Sequence, residues 1–250
     1  NFSAGANTPA AGVISAVLMA IVISAFTGWF YYLPISVLAA TIIVAVLGLL
    51  DWHTLREAWW YDKADAVSLL LTMAGVIFLG VEEGILLGVA LSLAVLVWRS
   101  SHPHMAVVGR VPGTEHFRNI ERHQVDTLDG LIALRIDESL YFANAQIIEE
   151  KIESLIQSNV GTRTVLLILS AVNQLDSTAL AMLTDMEKNL AEREIRLQFA
   201  EIKGPVLDRL RGTPLGETMR DQIFLSTHDA FLAHARRMSE APEDYKRSVQ

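Results

Sequence analysis

Two histidines one residue apart, two adjacent glutamates and an aspartate–serine pair are the groupings in this 250-residue chain whose residue types could do chemistry. His102 and His104, in the stretch SHPH, are its one close histidine pair. Their spacing does not match usual metal-ligand patterns, and beside a long apolar run they read as solvated linker residues. Glu82 and Glu83 are neighbours in sequence, so on a helix they point apart and make a poor acid–base pair. Asp176 has the type and position to cap a helix carrying Leu180, Leu183, Met186 or Glu187, and Leu190, and Ser177 follows it. No nucleophile motif, phosphate-binding glycine loop or metal spacing is present. The chain has no cysteine, which removes disulfides, zinc–thiolate sites and thiol nucleophiles. The expectation is a protein without cofactor, metal or enzymatic activity.

The elements that must position these residues divide into two kinds. The chain is 52% hydrophobic and 19% charged, with a mean hydropathy of +0.35. Soluble domains average about 45–50% apolar and about 25% charged residues. The imbalance is local: from Asn1 to Trp98 the only Lys or Arg residues are Arg56 and Lys63, whereas charges are frequent from Arg99 onward. One half therefore reads as solvated by lipid and the other by water. The formal net charge of −8 argues against nucleic acid as a partner. The chain opens with Asn1 rather than Met and lacks a basic stretch before its first apolar run, so the start reads as a truncation and not as a signal peptide.

Four apolar runs precede Arg99, at about Pro9–Phe30, Pro34–Leu50, Ala66–Gly80 and Gly84–Trp98. Crossing a bilayer takes roughly 20 residues, with a lower limit near 17. The first run meets that length, the second barely does, and the last two are short. Val81-Glu82-Glu83 lies between the short pair, which could form one long buried helix or a hairpin. Carboxylates are very costly in mid-membrane and cheap at a turn on the water surface, so the hairpin is favoured. Gly80, Gly84 and Gly88 would let helix backbones approach closely, although glycine is also simply common in membrane helices.

Arg56 and Lys63 lie between the second and third runs, and Arg99 follows the fourth, while the other two connections carry no Lys or Arg. The positive-inside rule then places the Asp51–Lys63 loop and everything after Arg99 in the cytoplasm. Trp29, Tyr31 and Tyr32 fall at one face, with Trp52, Trp59, Trp60 and Trp98 at the other, as an aromatic belt requires. The opening stretch NFSAGANTPAAG has two readings: irregular backbone lining a substrate site of a discontinuous helix, or a polar surface loop.

After Trp98, Pro103, Pro112 and Gly113 break any long helix. A first strand is expected near Met105–Gly109, an alternating strand at Leu131–Ile136 and a short extended piece at Leu140–Phe142. Ala145–Gln157 sets Ile147, Ile148, Ile152, Leu155 and Ile156 on one helical face. Thr164–Leu169 is continuously apolar, as a central strand buried on both faces should be. Ile195–Ala200 alternates again, a short helix follows Gly204-Pro205, Asp229–Met238 reads as a terminal helix, and 241–250 as a frayed tail. Alternating strands and helices imply a small sheet covered by helices.

LSAVNQLDSTALAML, at Leu169–Leu183, resembles the central strand, loop and helix of a STAS domain, the fold shared with bacterial anti-sigma-factor antagonists. SLYFANAQIIEEKI, at Ser139–Ile152, is similar to the stretch found where STAS domains follow sulfate permease (SulP) transporters. NFSAGANTPAAG resembles the segment after the broken tenth helix of that family, YYLPISVLAATIIVAVLGLLD its twelfth span, and LGVEEGILLGVALSL the turn between its last two. The resemblance covers nearly the whole chain in the family's order.

It implies a multi-domain fold: all-α transmembrane helices at 1–99, the last four to five spans of an inverted-repeat transporter, a linker at 100–106 and a cytoplasmic α/β STAS domain at 107–240. It also implies secondary transport of small anions of the sulfate, bicarbonate or dicarboxylate class, by symport with H+ or Na+ or by exchange. The partners implied are the lipid bilayer, a second copy in a homodimer and a cytoplasmic protein on the STAS domain, with a bacterial inner membrane as the setting. The family's anion sits between two half-helices, one of them the tenth, whose first polar residues precede Asn1; Asn1 and Ser3 are the nearest substrate-binding candidates. In the antagonist relatives the serine after the aspartate at the helix start is phosphorylated. Ser177 occupies that place behind Asp176, where a phosphate would gain from the helix N-terminus; the other reading is that both residues simply cap the helix. The competing function is a membrane-tethered STAS signalling or docking module without transport.

Overall fold

The computed structural model describes residues 8, 10–30, 32, 34–47 and 52–240. The expected frayed tail at 241–250 and the two anion-site candidates, Asn1 and Ser3, lie outside the described residues.

The lipid-like half consists of α1 (Ala10–Phe30), α2 (Ile35–Leu47), α3 (Trp52–Tyr61), α4 (Lys63–Phe78) and α5 (Val81–Ser101). Two of these are long and apolar enough to cross a membrane, α1 over Ala10–Gly28 and α5 over its whole length. A helix of 21 residues, the length of each, extends about 31 Å, matching a hydrocarbon core of about 30 Å. Their surfaces agree with that length. Every residue of α1 from Gly12 to Gly28 is exposed, including Ile14, Leu18, Ile23 and Phe26. Water would not tolerate so continuous an apolar surface on a monomer.

α4 and α5 form the hairpin that the glutamates suggested, with a difference in where it turns. The chain reverses at Leu79-Gly80, where Gly80 has φ +115°, a conformation side chains with a Cβ avoid. Glu82 and Glu83 belong to the first turn of α5. There their charge complements the positive end of the helix dipole, so the helix extends through them instead of ending at them. The Asp51–Lys63 connection, expected as a loop, is helical over Trp52–Tyr61. Asp62 then caps α4, its carboxylate accepting from the Ala64 and Asp65 amides.

Backbone contact joins the hairpin. A Cβ added at Gly84 would lie 2.5 Å from the Val76 backbone nitrogen, and one at Gly88 2.7 Å from Thr72 Cγ2. Gly75, buried on the facing helix, would meet Leu87 Cδ2 at 2.9 Å. Gly84 and Gly88 therefore do serve close approach, while Gly80 serves the turn; Gly75 completes the seam from the other side. At the opposite end, Arg99 Nη2 reaches Asp62 Oδ2 at 2.6 Å and Asp65 Oδ1 at 2.8 Å, tying the last turn of α5 to the first turn of α4.

The second half is an α/β layer structure. β1 (Met105–Arg110), β2 (Phe117–Asn119), β3 (Leu131–Ile136), α6 (Ala145–Ser158), β4 (Thr164–Ile168), α7 (Ser177–Glu192), β5 (Arg196–Ala200), α8 (Gly204–Arg211), α9 (Pro214–Thr218), β6 (Ile223–Phe224) and α10 (Thr227–Glu240) follow in order. They build one six-stranded sheet of order β2-β1-β3-β4-β5-β6. β3 to β6 run parallel, and β1 is antiparallel to both its neighbours. On one face Ile132, Leu134, Val165, Leu167, Leu197 and Phe199 meet α6 and α7 through Ile148, Ile152, Leu183 and Leu190. On the other, Ala133, Leu166, Ile168 and Ala200 meet Ala230 of α10. Covering both faces explains why Ala133 interrupts the alternation of β3: a small apolar residue fits under α10 where an edge strand would show a polar one.

Candidate functional site

Met105 of β1 pairs with Ile136 at the end of β3, so the chain arrives from α5 at the carboxyl ends of the parallel strands. At that pole of an open α/β sheet the connecting loops converge, and ligands of such sheets bind there. Three residues, His102 to His104, separate α5 from β1. The loops that meet them are 137–144 after β3, 169–176 after β4 and 201–203 after β5.

Asn144 organises the first of these loops. It is fully buried, and its Oδ1 accepts from the Tyr141 amide at 3.1 Å. Its Nδ2 donates to the Ser139 carbonyl at 2.8 Å and to the Ser100 carbonyl, in the last turn of α5, at 3.2 Å. One buried amide thus satisfies a loop of the soluble domain and the end of the apolar helix together. Asp137 makes a second tie: His104 Nδ1 lies 2.8 Å from its Oδ2, and Arg135 Nε donates to its Oδ1 at 2.6 Å. Partial burial pushes the Asp137 carboxyl upward, but the hydrogen bonds from Arg135 and His104 outweigh this and hold it below the usual range. The same hydrogen bond raises the Arg135 guanidinium against its own burial. His102, the other half of the SHPH pair, stacks on Trp98 at 4.2 Å between ring centroids. Among the described residues no three His, Asp or Glu side chains gather in a way that could hold a metal ion.

Asp176 stands where its sequence position suggested, as the N-cap of α7. Its Oδ1 accepts from the Ala179 amide at 2.8 Å. Its Oδ2 accepts from the Phe142 amide at 2.8 Å, which binds the 137–144 loop to the helix start. Ser177 is the first residue of α7 and is exposed. Phe142, 71% exposed, lies on the same loop surface. Lys203 Nζ donates to Asn173 Oδ1 at 2.7 Å, and the Asn173 amide donates to Ser139 Oγ at 3.2 Å. The pole therefore holds a free hydroxyl at a helix N-terminus, a carboxylate already engaged as a cap, a nearby ammonium and an exposed aromatic ring. Such a surface can dock a partner or accept a modification. Among the described residues no general base is bonded to the hydroxyl. Sequence reasoning picked out Asp176 and Ser177 but missed Asn144, Asp137 and the pairing role of His104. The only signal for Asn144 was its place in the Leu140–Ala145 stretch.

Comparison with known proteins bears on both halves. A model of the sulfate permease family matches residues 1–72, and a STAS domain model matches residues 122–230. The chain is a sulfate permease family membrane segment carrying a STAS domain. High affinity sulfate transporter 2 of Stylosanthes hamata is 31% identical over 241 residues, covering 92% of this chain and 36% of that protein. Sulfate transporter 3.2 of Arabidopsis thaliana is 31% identical over 244 residues, covering 93% and 38% respectively. The chain thus spans little more than a third of the curated relatives it matches. The murine Solute Carrier 26 family member A9 anion transporter, in its inward-facing state, superposes with a TM-score of 0.77 at 22% identity, over 93% of this chain and 38% of that one. That likeness supports the fold: transporter helices followed by a STAS domain with a mixed sheet. The relatives are transporters and not enzymes.

Proposed function

We propose that this chain supplies the last spans and the regulatory domain of a secondary transporter for small anions of the sulfate, bicarbonate or dicarboxylate class. The observation that carries this reading is the match of both halves, in order, to sulfate transporters over 92% of the chain. Exposed apolar helices support the membrane placement, since α1 and α5 have the length and surface of spans. In this reading residues 1–99 belong to the transport core and 107–240 to a cytoplasmic STAS domain, the side to which Arg56, Lys63 and Arg99 assign it. Asn1 and Ser3 border the anion site, whose remaining residues come from upstream. H+ or Na+ symport, or exchange, drives the flux, and the assembly is a homodimer in a cell membrane, a bacterial inner membrane in this reading. The Asp176–Ser177 corner is the regulatory element: phosphate on Ser177 would add charge beside the Asp176 carboxylate, weaken the cap that also holds Phe142, and loosen the pole facing α5.

The test is uptake of radiolabelled sulfate, bicarbonate and succinate by the full-length parent protein in liposomes. Saturable uptake of one of them is expected. Absence of uptake across the panel would favour the tethered STAS signalling module instead.

A further inference from the structure

The pole of the STAS domain farthest from α5 carries an arrangement that the transport reading does not use. α10 shields Thr227, Ala230, Phe231 and His234, the spacing of one helical face, and Arg237 is the next position along that face. The face is anchored firmly. Phe231 packs edge-on against Phe117 with ring centroids 5.5 Å apart, His234 Nδ1 lies 3.2 Å from Thr164 Oγ1, and His234 Nε2 lies 3.0 Å from the Asp129 carbonyl. Thr164 opens β4 and is the register partner of Arg196, which opens β5. Partners in register on parallel strands project to the same side of a sheet. Helix periodicity and strand register therefore deliver Arg237 and Arg196 to one spot, beside the Thr164–His234 pair.

This is a costly place for the half-buried Arg237 guanidinium, with the exposed Arg196 beside it at the sheet end. Burial, followed by the neighbouring charge of Arg196, pushes the Arg237 guanidinium below its ordinary value. Nη1 of Arg237 is buried and has no hydrogen-bond partner. Among the described residues neither arginine has an ion pair, and Glu194, two residues before Arg196, makes none with it. One strand position further in, Gln198 is fully buried; its Nε2 donates to Gln222 Oε1 at 2.9 Å, while its Oε1 has no partner. Buried donors of native proteins are satisfied, and the exceptions point to an ion or water that completes them. Two planar guanidiniums converging from different elements suit an oxyanion, which accepts paired N–H bonds from each.

We propose that Arg196 and Arg237 form a binding site for a free tetrahedral dianion, inorganic sulfate or phosphate, at the base of α10. The site is separate from any path through the membrane helices, and it stands whether or not the parent protein transports. A bound dianion would neutralise the repulsion and fasten α10 to β4 and β5.

Isothermal titration calorimetry tests this on the full 250-residue chain in detergent micelles, with sodium sulfate and then sodium phosphate, at ionic strength held constant with sodium chloride. One saturable site per chain is expected. Arg237→Gln and Arg196→Gln should each weaken binding at least tenfold, whereas Arg209→Gln, on the exposed side of α8, should leave it within twofold. If Arg237→Gln fails to fold, Arg237→Lys retains the charge and stem but not the two-pronged donor set, and should still weaken binding severalfold. Residues 241–250 carry Glu243 and Asp244 against Lys246 and Arg247, so their side-chain charges cancel; the chain ending at Glu240 is titrated in parallel and should bind equally well. Absence of saturable binding in both lengths, weaker binding by the shorter one, or unchanged affinity in the Arg237 variants would overturn the proposal.

Discussion

Replacing Asn144 by alanine should destabilise the soluble domain severely, and by a slightly larger amount when α5 is attached. Asn144 is fully buried and makes three hydrogen bonds, to the Tyr141 amide and the Ser139 and Ser100 carbonyls. Alanine leaves the first two partners unsatisfied in the domain itself; an orphaned buried group costs about 1–3 kcal/mol, and these two, being half-buried, fall toward the lower end. A loss of roughly 2–4 kcal/mol follows for a segment comprising residues 102–240, and at its size each kcal/mol lowers Tm by roughly 3–5 °C. The midpoint should therefore fall on the order of 10 °C. The third bond, to Ser100, exists only when α5 is present, so the full chain should lose about 1 kcal/mol more. The assay is urea and thermal unfolding followed by far-UV circular dichroism on the segment, and amide hydrogen exchange on the full chain in micelles. The exchange should show the added loss concentrated at Ser139–Ala145. Loss below about 1 kcal/mol in the segment would refute the view that this amide is structurally required. An identical loss with and without α5 would refute its role as a link between the two halves.

Gly84→Val should push α4 and α5 apart, because the added carbons meet the Val76 backbone and not a movable side chain; a lower melting temperature in detergent checks this, with Gly12→Val, which meets open space, as the unaffected control. His234 is held below its ordinary pKa by burial, which outweighs the opposing hydrogen bond to the Asp129 carbonyl, while the charges of Arg237 and Arg196 add smaller downward pushes. The folded state therefore binds fewer protons than the unfolded one, so stability present above about pH 6.5 declines as pH falls toward the folded value. His234→Gln should flatten that decline in a pH series of urea melts. The 250-residue chain alone should show no sulfate uptake in liposomes, since the anion site's other residues lie upstream in this account, and measurable uptake would contradict that.

Much of the soluble fold was legible because local signals and tertiary demands agree there. β3 follows the expected Leu131–Ile136, and Thr164–Ile168 and Ala145–Ser158 fall within a residue of expectation. The Asp176 cap appeared where a capping residue precedes an amphipathic run. β2, β6 and α9, with three, two and five residues, are too short for any period to register; the sheet edge and the α8 packing create them. α3 escaped notice because the charges of Arg56 and Glu57 made its connection read as a loop. Gly75 could not be paired with Gly84 from sequence, since their contact depends on the exact turn at Gly80. Asn144 and Asp137 are ordinary loop residues until α5 and β1 are brought beside them. Arg237 was hidden for the same reason: only the observed helix face sets it toward the sheet.

The central claim is that lipid surrounds the stretch before Arg99 and water the stretch after it. The natural absence of cysteine makes one measurement direct: single cysteines placed by Val22→Cys in α1, Leu93→Cys in α5 and Ser158→Cys in α6, each exposed on the bare chain, are probed in lipid vesicles with a membrane-impermeant maleimide. The account predicts rapid labelling at position 158, from one side of the vesicle only, and none at positions 22 and 93 until detergent is added. Prompt labelling of positions 22 and 93 in intact vesicles would contradict it.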